Sequence, residues 1–236
     1  MAKPHMLKNI SVLILSYINR IILYTQKKAH SINSKLLLVN VFSPKKSNKV
    51  EFINAYIKRT RINIIGNNNT IIIRGNHSNL KINIFGNDNQ LELGFETRSI
   101  EGEIIIRGNN CLLSIGNNTT FGKKAYIVCM GIHNKILIGK ENMFADNIEI
   151  WNTDSHPIYD TTGTILNPSK PIKIGDHVWV GKKVCILKGS IIADNAVIGM
   201  ASMVSGQHIR SNTLNVGSPI RCIKNNIHWE RNFIQK

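Results

Sequence analysis

Aliphatic residues recur at every sixth position through the C-terminal half of the chain, at Ile174, Val180, Ile186, Ile192, Ile198 and Val204. Four positions after each stands Val178, Val184, Ser190, Ala196, Ser202 or His208. A period of six is neither that of an α-helix nor the alternation of a strand. It suits a triangular coil in which each of three short faces takes one hexapeptide. The aliphatic side chain points into the prism, the small residue four later fits the tight inner corner, and stacked turns bury a continuous core. His208 breaks the series and is read as the end of the regular coils.

The same register runs backward through His156, Ile150, Phe144 and Ile138, which places His156 in an aliphatic slot. Ile115, Phe121 and Ile127 also step by six, with an irregularity around His133 and Asn134. Earlier, the run from Ile62 to Asn69 and the run from Ile82 to Asn89 are near copies, and Ile104 to Asn110 continues them as longer coils. Gly-Asn pairs supply positive-φ turns at little steric cost, as coil corners require. A hairpin meander joined by such turns would have no fixed six-residue register. The predicted fold is therefore mainly β, a β-helix over 61–216. An N-terminal segment (1–60) is expected to be basic and partly helical, and a basic tail occupies 217–236. Between His156 and Ile172 the hexads fail, predicting a loop over about 157–171 that leaves the prism with Tyr159 in it.

A chain of 236 residues allows one working unit, and 30 Lys and Arg against 14 Asp and Glu give a net charge of +16. A surface so basic calls for an anionic partner: nucleic acid, membrane, acidic polysaccharide or phosphorylated cofactor. Cys111, Cys129, Cys185 and Cys222 form no C-x-x-C pair, which favours buried reduced thiols and a cytoplasmic setting. No His, Cys and carboxylate spacing converges on a metal, so no metal is expected. Met1 to Met6 reads as an added leader before a second start methionine. Ile10 to Tyr24 is interrupted by Ser11, Ser16, Asn19 and Arg20 and is too short to span a bilayer. A buried or subunit-contacting helix is expected there, with an interfacial membrane-contacting helix, helped by Lys27 and Lys28, as the alternative.

The run Trp151-Asn152-Thr153-Asp154-Ser155-His156-Pro157-Ile158-Tyr159, the run Ile174 to Gly181, Ile186-Leu187-Lys188-Gly189 and Gly217-Ser218-Pro219 together resemble the hexapeptide-repeat acetyltransferases. Within them the chain is most similar to the bacterial capsule O-acetyltransferases that modify sialic-acid polymers. The resemblance spans roughly Asn63 to Trp229. It implies a left-handed parallel β-helix, a homotrimer with sites between neighbouring prisms, an acetyl-CoA donor and a histidine that deprotonates the acceptor hydroxyl. His156 matches that histidine, and an imidazole titrating near neutrality suits the task. The resemblance also assigns the oxyanion to the backbone N–H of Lys182 and the wall of the active site to Trp179. For coenzyme A it implies Lys182, Met200, Ser205, Arg221 and Lys224, the last two being cations suited to phosphate.

Trp151, Asp154 and Tyr159 join Trp179 as candidate acceptor-binding residues. Asp154 either orients the imidazole or is solvated, and Trp151 either lines the cleft or packs on a neighbouring subunit. His177 falls on an outward position and is read as exposed. The expected reaction is acetyl transfer to an acidic capsular polysaccharide containing sialic acid. One alternative is a neutral lipopolysaccharide or small saccharide acceptor. The other is a non-enzymatic polyanion binder using Lys45-Lys46 and Lys58-Arg59-Thr60-Arg61. Nucleic acid is not expected, because neither basic cluster is interleaved with aromatics.

Overall fold

The computed structural model describes residues 30–98 and 100–232. They wind into a left-handed parallel β-helix of about 9 turns with no helix among the described residues. Face A stacks, in chain order, the end of Lys49–Ile65, then Leu80–Phe85, Gly102–Asn109, Ala125–Ile132, Glu149–Trp151, Cys185–Leu187 and Met203–Ser205. Face B stacks the start of Lys49–Ile65, then Thr70–Ser78, Gln90–Leu93, Leu112–Ile115, Lys135–Ile138, Ile172–Ile174, Ile191–Ile192 and His208–Ile209. Face C holds Thr120–Phe121, Met143–Phe144, Trp179–Val180, Val197–Ile198 and Thr213–Gly217.

The hexad positions point inward as expected. Ile150, Val180, Ile186, Ile198 and Val204 have no exposed surface. Each fully buried aliphatic side chain contributes about 1.5–3 kcal/mol of hydrophobic transfer. Coil length rises and then falls along the axis. Ile62 pairs with Ile82, Ile104 with Ile127, and Ile174 with Ile192, which are spacings of 20, 23 and 18 residues. The irregularity at His208 is a one-residue shortening: Ile192 pairs with Ile209, so Ile209 takes the inward slot and His208 stays outside.

Two early corner devices differ from the late coils. Gly66 adopts φ 135°, and a Cβ there would lie 1.8 Å from the carbonyl oxygen of Gly86, so backbone closeness excludes any side chain. Inside, buried asparagines form a ladder. Asn69 Nδ2 donates to Asn48 Oδ1 at 3.1 Å, and Asn89 Nδ2 donates to Asn69 Oδ1 at 3.0 Å.

The boundary expected at residue 60 does not divide the structure. Lys49–Ile65 is one strand that crosses it and pairs with both Lys35–Phe42 and Thr70–Ser78, so coil pairing begins at His30. Val39, Val41, Val50 and Phe52 point inward, with exposed Asn40 between the first two and half-buried Glu51 between the second two, a period-two signal. The apolar run Ile10–Tyr24 lies outside the described residues. Among the described residues no helix is long and apolar enough to cross a membrane.

Residues 217–232 lie against the prism. The chain reverses through Gly217-Ser218-Pro219, and Ile220–Asn225 pairs antiparallel with Thr213–Gly217. Trp229 is buried, its Nε1 donating to the His177 carbonyl at 2.9 Å. Arg231 donates to the carbonyls of Asn118, Glu141 and Asn142 at 3.2, 3.0 and 2.7 Å.

Candidate active site

The loop over 157–171 leaves the corner between faces A and B. Ile138 pairs with Ile174 and Ile150 with Ile186, both 36 residues apart, against the 18 residues of the next coil. The loop therefore absorbs one coil's worth of residues. This corrects the placement of His156 in an aliphatic slot: the count of six continues across the loop only because the insertion equals one turn. The inward slots flanking it are filled by Ile150 and Ile172, and His156 is exposed.

Polar contacts give the loop a defined shape. Asn167 Nδ2 donates to the His156 carbonyl and to Asp154 Oδ2, both at 2.9 Å, and Asn167 Oδ1 accepts from the Ile158 N–H at 2.6 Å. Lys188, from the next coil, forms an ion pair with Asp154 Oδ2 and donates to the Asn167 carbonyl at 3.1 Å. The Lys188 ammonium is the main reason the Asp154 carboxyl sits below its usual range, and Asn167 adds to the effect. Asp154 therefore braces the loop backbone through Asn167, and its recorded partners do not include the His156 ring. Lys188 and Asn167 carried no role in the sequence reading. Because Trp151 pairs with Leu187, the register puts Lys188 beside the residue from which the loop departs. Beyond this clasp, Ile158, Tyr159, Ile165 and Leu166 are all exposed.

Lys182 sits at another corner, between faces C and A. A repeated device closes most corners: an Asn or Asp of the next coil accepts the corner backbone N–H. Asn87 serves Asn67 at 2.9 Å, Asn117 serves Phe95 at 2.8 Å, Asp146 serves Lys123 at 2.8 Å and Asp176 serves Lys140 at 2.9 Å. Trp179 pairs with Val197, so the residue beneath Lys182 is Met200, whose side chain has no oxygen to offer. The Lys182 N–H has no hydrogen-bond acceptor among the described residues. Close backbone approach supports the geometry, since a Cβ on Gly181 would lie 2.7 Å from the Met200 nitrogen. The result is an unengaged backbone donor on an exposed residue, of the kind that can stabilise a developing oxyanion.

The remaining expected residues divide between these places. Trp151 is half-buried on face A, its ring 5.3 Å from that of Tyr126 and its Nε1 donating to Glu149 at 3.2 Å. Ser205 is exposed on the same face, and Met200 is 67% exposed at the Lys182 corner. Arg221 and Lys224 are exposed on Ile220–Asn225, opposite Val216 and Leu214, with no ion pair among the described residues. Trp179 projects from face C, 6.0 Å from the ring of Trp229. His177 is half-buried rather than freely exposed: Trp229 stacks on it at 4.1 Å, and Asn195 contacts its Nδ1 at 3.0 Å. One chain thus keeps the His156 loop and the Lys182 corner on different edges of the prism.

Similarity to characterised proteins now bears on this arrangement. The chain is 37% identical over 175 residues to the polysialic acid O-acetyltransferase of Neisseria meningitidis, covering 73% of this chain and 80% of that enzyme. This chain belongs to the hexapeptide-repeat O-acetyltransferases. Among solved structures, the polySia-specific acetyltransferase NeuO matches with a TM-score of 0.68 and 27% identity, over 88% of this chain and 91% of that one. The polysialic acid O-acetyltransferase OatWY matches with a TM-score of 0.53 and 30% identity, over 87% of this chain and 92% of that one. No family model matches the chain. As an O-acetyltransferase, the protein is an enzyme, which sets aside the purely binding solenoid.

Proposed function

We propose that this O-acetyltransferase moves an acetyl group from acetyl-CoA to a hydroxyl of an acidic, sialic-acid-containing capsular polysaccharide. His156 takes the hydroxyl proton as the oxygen attacks the thioester carbonyl. The Lys182 N–H donates to the tetrahedral oxyanion. The imidazolium of His156 then returns its proton to the departing thiolate as the carbon–sulfur bond breaks. Arg221 and Lys224 meet coenzyme phosphates, Met200 and Ser205 flank the pantetheine arm, and Trp179, Trp151 and Tyr159 contact the acceptor.

Because one chain separates the His156 loop from the Lys182 corner, the site is completed by a neighbouring chain in a homotrimer. The exposed Ile158, Tyr159, Ile165 and Leu166 are suited to burial against that neighbour. The four free cysteines fit a reducing cytoplasm, with the N-terminal segment as a peripheral membrane contact.

The observation that carries this reading is the 37% identity to an enzyme named for polysialic acid acetylation, and the +16 charge suits such an acceptor. The test is an acceptor panel with acetyl-CoA, read by mass. Sialic acid polymers are expected to gain acetyl groups. Modification of neutral oligosaccharides alone would move the acceptor to the lipopolysaccharide or small-saccharide class.

A further inference from the structure

The corner between faces C and A is an edge running the length of the prism, and basic residues mark both ends of it. Lys182 and Lys183 stand at the late end. At the early end Arg59, Arg61 and Lys81, with Leu38, Asn40 and Asn79, line a cleft of about 400 Å³. Strand pairing places both ends on the same edge, because Lys58 pairs with Ser78, Leu80 with Gly102, Gly102 with Ala125, Tyr126 with Glu149 and Glu149 with Cys185. Five coil-to-coil steps separate Arg59 from Lys183, roughly 24 Å at the usual strand spacing. Lys123 and Lys124 lie between them on the edge.

The carboxylates on this edge are engaged by the protein itself. Glu103 is paired with Lys81 at 2.9 Å and accepts from Asn83 at 2.7 Å. Glu101 accepts from Asn79 at 3.3 Å, and Asp146 accepts the Lys123 N–H at 2.8 Å. Arg59 and Arg61 are exposed and form no ion pair among the described residues. The first 29 residues contain Lys3, Lys8, Arg20, Lys27 and Lys28 and no Asp or Glu, so they offer no acidic complement to the cleft.

We propose that the Arg59/Arg61 cleft is a second anchoring site for the acidic polysaccharide, holding one stretch of polymer while another is acetylated. The proposal rests on the acidic-acceptor reading above. Guanidinium forks match carboxylates bidentately. A polymer with a carboxylate on each sugar can occupy the cleft and the basic edge together, which a single saccharide cannot span. The cleft has no aromatic side chain on which a nucleobase could stack.

The test uses the full-length protein and its Arg59→Gln/Arg61→Gln variant, with a long sialic acid polymer and a sialic acid trimer as acceptors. The variant is expected to raise KM for the long polymer roughly tenfold, through loss of two exposed charge-assisted contacts. Its kcat and its kinetics with the trimer are expected to stay unchanged. An unchanged KM for the long polymer would overturn the cleft. Equilibrium binding of the same polymer at low and high salt separates this proposal from the acceptor reading. Should the wild type acetylate no sialic acid substrate, the acceptor reading fails, and the binding measurement still judges the cleft. Binding weakened at low salt in the variant sustains it. Equal binding, no binding by the wild type, or tighter binding of single-stranded DNA than of the polymer overturns it.

Discussion

The early and late coils of this β-helix share one core and differ in where they hold a histidine: His77 inside the prism and His156 outside it. In both regions an Asn or Asp of one turn can take a corner N–H of the turn before, as Asn87 does for Asn67, Asp146 for Lys123 and, late in the chain, Asp194 for Asp176. A histidine that enters the prism in the early coils is silenced. His77 pairs in register with Ile57, is 2% exposed, and contacts the Arg74 carbonyl at 2.9 Å through Nε2. Burial pushes its pKa down to about 4. In the late coils Met200 stands where an aspartate would close the Lys182 amide, and His156 stands outside the prism on a braced loop.

The largest effect expected from breaking this contrast is at His156. His156→Ala is expected to lower kcat about a thousandfold, the range of a lost general base, with an unchanged melting temperature because the residue is exposed. Retained turnover would remove His156 from that role.

The second effect concerns the silenced histidine. Because the folded pKa of His77 lies below its ordinary value of 6.5, the unfolded chain binds the extra proton. Its contribution to stability is therefore complete above about pH 6.5 and is lost as pH falls toward 4, by about 3 kcal/mol in all. Denaturant melts across this range measure the loss, and His77→Gln is expected to flatten it.

The third exchanges the corners. Met200→Asn supplies the missing acceptor, and it is expected to slow hydrogen exchange at the Lys182 amide and to cost about a hundredfold in kcat/KM, as loss of an oxyanion donor does. The reverse change, Asp146→Ala, frees the Lys123 amide and is expected to cost about 1 kcal/mol of stability. A thermal melt reads that change, and activity is expected to stay within a few-fold.

The legibility of these features in the sequence follows from where the period survives. The late hexads could be read directly because the inward slot admits little except aliphatics, and the Gly-Asn corners because few residues tolerate positive φ. The register argument for His156 failed because a loop equal to one turn leaves a count of six intact while the chain is outside the core. The resemblance of the run Trp151–Tyr159 pointed to His156 without depending on that count. His77, which does occupy an inward position, escaped notice because coils of 20 to 23 residues destroy the hexad count. The bracing by Lys188 and Asn167 and the stacking of Trp229 on His177 join residues far apart in sequence, and only strand register brings them together.

The central claim is that the His156 loop of one chain works with the Lys182 corner of another. Mixing His156→Ala with Met200→Asn protein, unfolding both and refolding them together tests it most directly. If the two halves come from different chains, random trimers place an intact loop beside an intact corner in about one quarter of sites, and activity returns to that fraction of wild type. If both halves come from one chain, the mixture stays at the level of the two variants, which would contradict the account.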